Sequence, residues 1–229
     1  MTERFKRIRA LLGDAAMEKL QNATVMVVGC GAVGSFATEA LARSGIGNIV
    51  VVDFDTVEVS NINRQLFALS STIGMPKVDV AAARIRDINP DADVIAINAY
   101  FDDDTDINVK PDFVIDAIDT VESKIALYKW CAARNIPFAA SMGAALKSDP
   151  AQIRTARISK TSVCPLAARV RKMVRGAGLP DFPVVYSVEN PNKSAASAGR
   201  VFGSIITITG AFGLRLADIA IKSITNAEI

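Results

Sequence analysis

Residues 24–34 read TVMVVGCGAVG, and residues 48–53 read NIVVVD. The apolar run Thr24–Val28 has strand length and leads straight into the turn Gly29-Cys30-Gly31-Ala32-Val33-Gly34. A helical stretch over residues 35–43 follows, until Gly45 stops it. A second apolar strand, Asn48–Val52, then ends on Asp53. Strand, GxGxxG turn, helix and second strand with a terminal carboxylate form the pattern of a nucleotide-binding βαβ unit. Gly29 permits the tight turn, Gly31 lets the backbone approach a ligand, and Gly34 lets the helix pack on the strand. Free amides at the helix start attract phosphate. Asp53 is placed to accept hydrogen bonds from ribose hydroxyls. The competing reading is that the glycines serve packing alone.

Outward from this unit the chain alternates. Spacing predicts a leading helix over residues 4–20, a helix over 77–88 ended by Asn89-Pro90, and a strand over 94–98. A strand over 113–115, a helix over 123–134 and a strand over 136–140 come next. Residues 165–174 read as helix, 184–188 as strand, 190–199 as loop and 204–224 as closing apolar structure. The acidic stretch at 102–106 reads as a solvated turn. The expected fold class is α/β, a Rossmann-like, doubly wound and mostly parallel sheet with an elaborated C-terminal part. The expected organisation is one domain over 1–229, with a nucleotide-binding core at 1–143 and a substrate or dimer elaboration at 144–229. There is no internal repeat.

Composition narrows the chemistry. Half of the 229 residues are apolar, which supports a packed core. The net charge is only +2, so any nucleic-acid contact must come from a local basic patch. The absence of histidine removes Ser-His, Cys-His and His-metal mechanisms together. Cys30, Cys131 and Cys164 form no CxxC pair, so neither a zinc clip nor a disulfide framework is readable. The charged first residues carry no signal-peptide core. The apolar stretch 201–224 is interrupted by Arg215, Asp218 and Lys222, and it reads as a buried strand and helix rather than a membrane span. A cytoplasmic protein without membrane contact is expected.

Past Asp53 the sequence turns polar. Residues 53–65 read DFDTVEVSNINRQ, and GMPK follows at 74–77. A hydride transfer has no need of Arg64 and Lys77 on the ligand side of the sheet. Cleavage of a triphosphate does, because negative charge builds on the leaving pyrophosphate. Each cation alone would more often be a surface charge; their company of Asn61, Asn63 and Gln65 favours the phosphate role. Asp116 and Asp119 lie at the end of the fourth strand, where doubly wound sheets bind ligands. One of these carboxylates can hold a magnesium ion on phosphate oxygens; both could instead cap the helix that follows.

Over residues 4–143 the pieces GCGAVGS, VVDFDTVEVSNINRQ, GMPK, INP and DAIDT resemble the ubiquitin-activating-enzyme superfamily, which includes the bacterial adenylyltransferases of thiamine and molybdopterin synthesis. The resemblance implies a homodimeric or pseudodimeric enzyme that makes an acyl-adenylate from ATP and a carboxylate. It implies Asp53 on ribose, Asn61, Arg64, Gln65 and Lys77 on the phosphates, and Asp119 on Mg2+. Asp55 and Asn63 join Gly29, Gly31 and Gly34 in the expected ATP-binding set. In some members an N-terminal arginine reaches across the dimer to the partner's ATP; here Arg7 is the better positional match and Arg4 the alternative.

Two departures matter: the chain has neither the paired CxxC zinc ligands of the sulfur-carrier adenylyltransferases nor a catalytic-cysteine domain. The stretches ERFKRIRALLG, NRQLFAL and VIDAIDTVESKIAL, with Ile158-Ser159-Lys160-Thr161 and Pro165-Leu166-Ala167, look instead like the tRNA threonylcarbamoyladenosine dehydratases. That resemblance implies tRNA as the partner and the threonyl carboxyl of a modified adenosine as the group adenylated. Arg169, Arg171, Lys172 and Arg175 then suit an RNA backbone, or equally a solvated helix face. The acidic 102–106 loop must lie away from any RNA path. The runner-up is adenylation of a ubiquitin-like sulfur carrier. A non-catalytic nucleotide-binding scaffold that docks a sulfur-transfer protein is the reading from another class.

Overall fold

Among the described residues seven strands join in one sheet. In chain order they are β1 (Thr24–Val28), β2 (Asn48–Val52), β3 (Asp93–Ile97), β4 (Phe113–Asp116), β5 (Phe138–Ser141), β6 (Ile153–Arg157) and β7 (Pro183–Ser187). Their spatial order is β3-β2-β1-β4-β5-β7-β6. Only β6 is antiparallel, paired with β7 at the edge. The helices are α1 (Lys6–Leu12), α2 (Asp14–Asn22), α3 (Gly34–Arg43), α4 (Lys77–Ile88), α5 (Val121–Ala133), α6 (Pro165–Gly176) and α7 (Ile206–Thr225). This computed structural model describes residues 3–105, 107–192 and 202–227.

Parallel strands covered on both faces must be apolar at every position, which is why TVMVV and NIVVV read as unbroken runs. Their side chains alternate between two cores. Val25, Val27, Ile49, Val51 and Ile115 face α2, α3, α4 and α7. Met26, Val28, Val50, Val52 and Val114 face α5 and α6. Burying each such Val or Ile contributes about 1.5–3 kcal/mol. α7 lies against α3, and a Cβ on Gly213 would stand 2.3 Å from the Val33 carbonyl oxygen and 2.8 Å from Phe36 Cβ. The sheet therefore runs on past residue 143 through β6 and β7, with α7 sharing the core of the nucleotide-binding half.

Several expectations need correction. The leading helix is two helices, broken at Gly13 with φ 84°. The strand expected ahead of the last helix does not form among the described residues; the chain enters the 20-residue α7 directly after Ile205. β6 was not foreseen, because IRTAR on a sheet edge buries only Ile153 fully and carries two arginines. The strands expected at 94–98 and 136–140 are Asp93–Ile97 and Phe138–Ser141. Asp106 and residues 193–199 of the expected loop lie outside the described residues. Among the described residues no helix is long and apolar enough to cross a membrane.

Candidate active site

The chain builds β1, α3, β2, α4 and β3 outward in one direction, then returns to lay β4 on the other side of β1. Such a reversal opens a crevice at the C-terminal ends of the two diverging strands. The GCGAVG turn and residues 117–119 sit at that crevice. Gly29 has φ 96°, and a Cβ there would lie 2.6 Å from the Ala117 carbonyl oxygen. A Cβ on Gly34 would lie 1.7 Å from the Gly29 carbonyl oxygen, so only glycine lets α3 start this close to the turn. At Gly31 nothing comes nearer than Gln65 Nε2 at 3.8 Å, which leaves an open approach to the backbone.

Asp53 is buried and braces this turn. Its Oδ2 accepts from Cys30 N at 2.6 Å and its Oδ1 from Asp55 N at 2.8 Å. A carboxylate has about four acceptor positions, so two remain for ribose hydroxyls. Burial, reinforced by the Asp53 charge, pushes the Cys30 thiol well up, and burial does the same at Cys131, so both stay protonated.

The segment 54–76 arches over the same end of the sheet. Its ends are tied by the Thr56–Pro76 bridge and by Lys77 N donating to the Asp55 carbonyl at 2.9 Å. Its middle is tied to α3 through Leu66 N and Ser35 Oγ, 3.1 Å apart. Lys77 is buried, and its Nζ lies 2.7 Å from Asp55 Oδ2. Asp55 thus holds the lysine in place. Asn61 is buried and closes a capping box with Glu58. Arg64 donates to the Ser60 carbonyl at 2.8 Å and to Asn63 Oδ1 at 2.9 Å. Asn63 Nδ2 reaches the Ser204 carbonyl at 3.3 Å, which links the arch to the approach to α7.

The two acidic residues after β4 separate in role. Asp116 is fully buried, ion-paired with Lys124 at 2.8 Å and bonded by the Tyr128 hydroxyl. It also accepts from Ile118 N at 2.9 Å, so it shapes the turn. Burial first, then the Asp116 charge, holds the Tyr128 phenol well above its usual range. Asp119 is exposed on that turn, without a hydrogen bond or ion pair among the described residues. Neither carboxylate caps α5, whose N-cap is Thr120. Lys124 and Tyr128 were missed in the sequence; their spacing of four on a helix buried nearly all round was the available signal.

Arg7 lies elsewhere. Phe5 packs on Gly45 at the end of α3, and Arg4 donates to the Ile88 carbonyl at the end of α4 at 3.1 Å. Both helices begin at the crevice and end at the opposite end of the sheet, about 15–18 Å away at 1.5 Å per residue. Arg7 is exposed and unpaired among the described residues, so it does not reach the crevice of its own chain.

The basic run on α6 divides too. Arg169 pairs with Glu122 at 2.8 Å. Arg171 donates to the carbonyl and hydroxyl of Thr161. Arg171, Lys172 and Arg175 line a cavity of about 580 Å³.

The ThiF family model matches residues 5–229. The tRNA threonylcarbamoyladenosine dehydratase of Bacillus subtilis is 48% identical over 195 residues, which cover 83% of this chain and 77% of that protein. The crystal structure of the Escherichia coli tRNA N6-threonylcarbamoyladenosine dehydratase in complex with ATP superposes with a TM-score of 0.89 at 36% identity, covering 98% of this chain and 94% of that one. The AMP complex of the same Escherichia coli enzyme gives 0.90 at 35% identity, covering 98% and 95%. With the glycine turn, the braced Asp53 and the arch from Arg64 to Lys77 at one crevice, and the family's pattern running from residue 5 to the end, the chain belongs to the ThiF family.

Proposed function

We propose that this protein is an ATP-dependent dehydratase that adenylates the threonyl carboxylate of threonylcarbamoyladenosine in tRNA, so that the activated carboxyl cyclises. The observation that carries the reading is the pairing of opposites at one crevice. A buried, ion-paired Lys77 stands on the arch beside the glycine turn, and an unpaired Asp119 stands on the turn after β4. The likeness to dehydratases along nearly the whole chain supports the substrate. A carboxylate oxygen of the substrate attacks the α-phosphorus of ATP, and pyrophosphate leaves. A nitrogen or oxygen of the neighbouring carbamoyl group then attacks the acyl carbon, and AMP leaves with the former carboxylate oxygen. The sum is loss of one water from the nucleoside. Ring closure is intramolecular, so proximity supplies much of its rate, and no enzyme thiol is needed.

Asp53 orients the ribose, and Gly29, Gly31 and Gly34 admit the phosphates to the backbone. Asn61, Asn63, Arg64, Gln65 and Lys77 receive the triphosphate, with Lys77 exchanging Asp55 for phosphate oxygens. A free carboxylate suits Mg2+, which takes one or two protein carboxylates beside phosphate oxygens. Asp119 would hold it, and its charge would stabilise the departing pyrophosphate. The protein acts as a cytoplasmic homodimer in which Arg7 serves the partner's site. Arg169, Arg171, Lys172 and Arg175 meet the RNA, and a sulfur-transfer protein is a further docking partner. The sulfur-carrier alternative has less support, because the three cysteines are buried and separate.

Purified protein incubated with ATP, magnesium and modified tRNA tests this. The nucleoside is expected to lose one water mass. If it does not, while pyrophosphate exchange responds to a carrier protein ending in Gly-Gly, the dehydratase reading is wrong.

A further inference from the structure

The cavity against α6 is built unlike a generic basic surface. It lies beside the 3-10 turn Ile158–Lys160, which follows the end of β6. There Arg157 pairs with Pro183, the first residue of β7. This is the N-terminal end of the parallel strands, opposite the crevice. A five-residue strand at about 3.3 Å per residue puts the two roughly 17 Å apart. The volume is about 580 Å³, within the range of about 300–1,000 Å³ that small-molecule pockets span.

Its lining has three parts. Ile158, Val174 and Leu179 form an apolar wall. Lys172 and Arg175 are exposed cations with no hydrogen-bonding or ionic partner among the described residues, whereas Arg171 is committed to Thr161. The third part is Asp181, whose oxygens accept from Ser159 N at 3.1 Å and from Ser159 Oγ at 2.7 Å. Burial raises that carboxyl, but the Ser159 hydrogen bonds outweigh it and hold the group below its usual value, so it stays an anion.

Asp181 braces the turn through Ser159, yet a carboxylate in the lining works against a groove that binds phosphates alone. A ligand that satisfies all three parts carries an anionic group, a flat apolar body and N–H donors. A nucleotide with an amino-bearing base has that layout, and carboxylates accept from base amino groups. Single-stranded RNA offers such nucleotides, because unstacked bases can be splayed out of a loop into a protein pocket.

We propose that this cavity takes one unstacked nucleotide of the RNA substrate, with its phosphate on Lys172 and Arg175 and the amino edge of its base on Asp181. The proposal rests on the tRNA reading above and adds a second anchor remote from the crevice. Arg169 does not line this cavity and pairs with Glu122 beside it.

Equilibrium binding of full-length modified tRNA at several salt concentrations tests it, with ATP affinity and thermal midpoint measured alongside. The Lys172→Ala/Arg175→Ala double variant is expected to bind tRNA at least tenfold more weakly. Its log–log salt slope should be smaller by about 0.7, the contribution of one single-strand phosphate. ATP affinity and thermal midpoint should be unchanged. Asp181→Asn separates a nucleotide pocket from a phosphate groove: removing an anion from a groove tightens RNA binding, whereas exchanging one of the two base-accepting oxygens for an amide donor weakens it severalfold. Weakening in both variants supports the proposal. Wild-type affinity and slope in the double variant, or tighter binding by Asp181→Asn, overturns it. If the wild-type protein itself does not bind tRNA, the functional reading falls and takes this pocket with it.

Discussion

Asp116 and Asp119 are separated by two residues and have opposite surroundings. Asp116 is sealed in with Lys124 and Tyr128, and Asp119 stands in solvent at the crevice. Asp119→Asn is expected to lower adenylation a hundredfold or more, about 2.7 kcal/mol of barrier. ATP should still bind to the variant in calorimetric titration, because a metal ligand matters more to the transition state than to the ground state. Near-normal turnover would remove the metal role from this residue. Asp116→Asn should act on the fold instead. It leaves the Lys124 ammonium buried without its counter-ion, at a cost of about 3–5 kcal/mol. For a chain of this size that is a drop in thermal midpoint of roughly 10 °C, read by circular dichroism. The position of both carboxylates at the end of a strand did not separate them, and only the family resemblance pointed to Asp119, because burial is set by what α5 brings over the sheet.

Elements meet here through a few cross-links that periodicity does not reveal. Glu39 on α3 binds Arg43 at 2.6 Å on its own helix and Arg84 on α4 at 3.0 Å. Burial raises the Glu39 carboxyl, but hydrogen bonds from Arg84 and Arg43 outweigh it and hold the group below its usual value of 4.5. A depressed carboxylate contributes stability that is present in full above the unfolded pKa and is lost as pH falls through the folded one. The α3–α4 link should therefore weaken below about pH 4.5. Both arginines are well exposed, so solvent screening limits the effect to about 0.5–1 kcal/mol. Glu39→Gln should lower the thermal midpoint at pH 7 by about 1–4 °C and by less near pH 3. An equal loss at both values would show that the charge is not what links the helices. The strands and α4 were legible because a buried parallel strand is apolar throughout and a half-buried helix is apolar at every third or fourth residue. β6 was not, because an edge strand with one wet face loses that signature.

At the scale of the molecule, α1 is out of place for a helix that serves its own chain. It buries none of its residues, leaves Leu11 81% exposed, and holds Arg7 at the end of the sheet away from the crevice. The proposed homodimer would bring that arginine to the partner's site. Arg7→Ala and Asp119→Ala proteins should each be nearly inactive alone. Mixed in equal amounts under conditions of subunit exchange, they should recover up to about a quarter of wild-type turnover, since half the dimers are mixed and each has one intact site. Failure to recover despite confirmed exchange would place Arg7 outside the partner's site.

The local rules of this chain were written in its residue order. Glycines at 29, 31 and 34 between apolar strands, a carboxylate ending the second strand and the cations at 64 and 77 marked the fold class and the candidate phosphate end. Each depends on backbone geometry or on neighbours a few residues away. The tertiary structure alone decided that Asp55 holds Lys77, that Asp116 is structural while Asp119 is free, that α7 packs on α3 through Gly213, and that the α6 cations part company. Those outcomes turn on which distant segments share a desolvated space. Contact across tens of residues is fixed by packing of the whole sheet, and no local pattern encodes it.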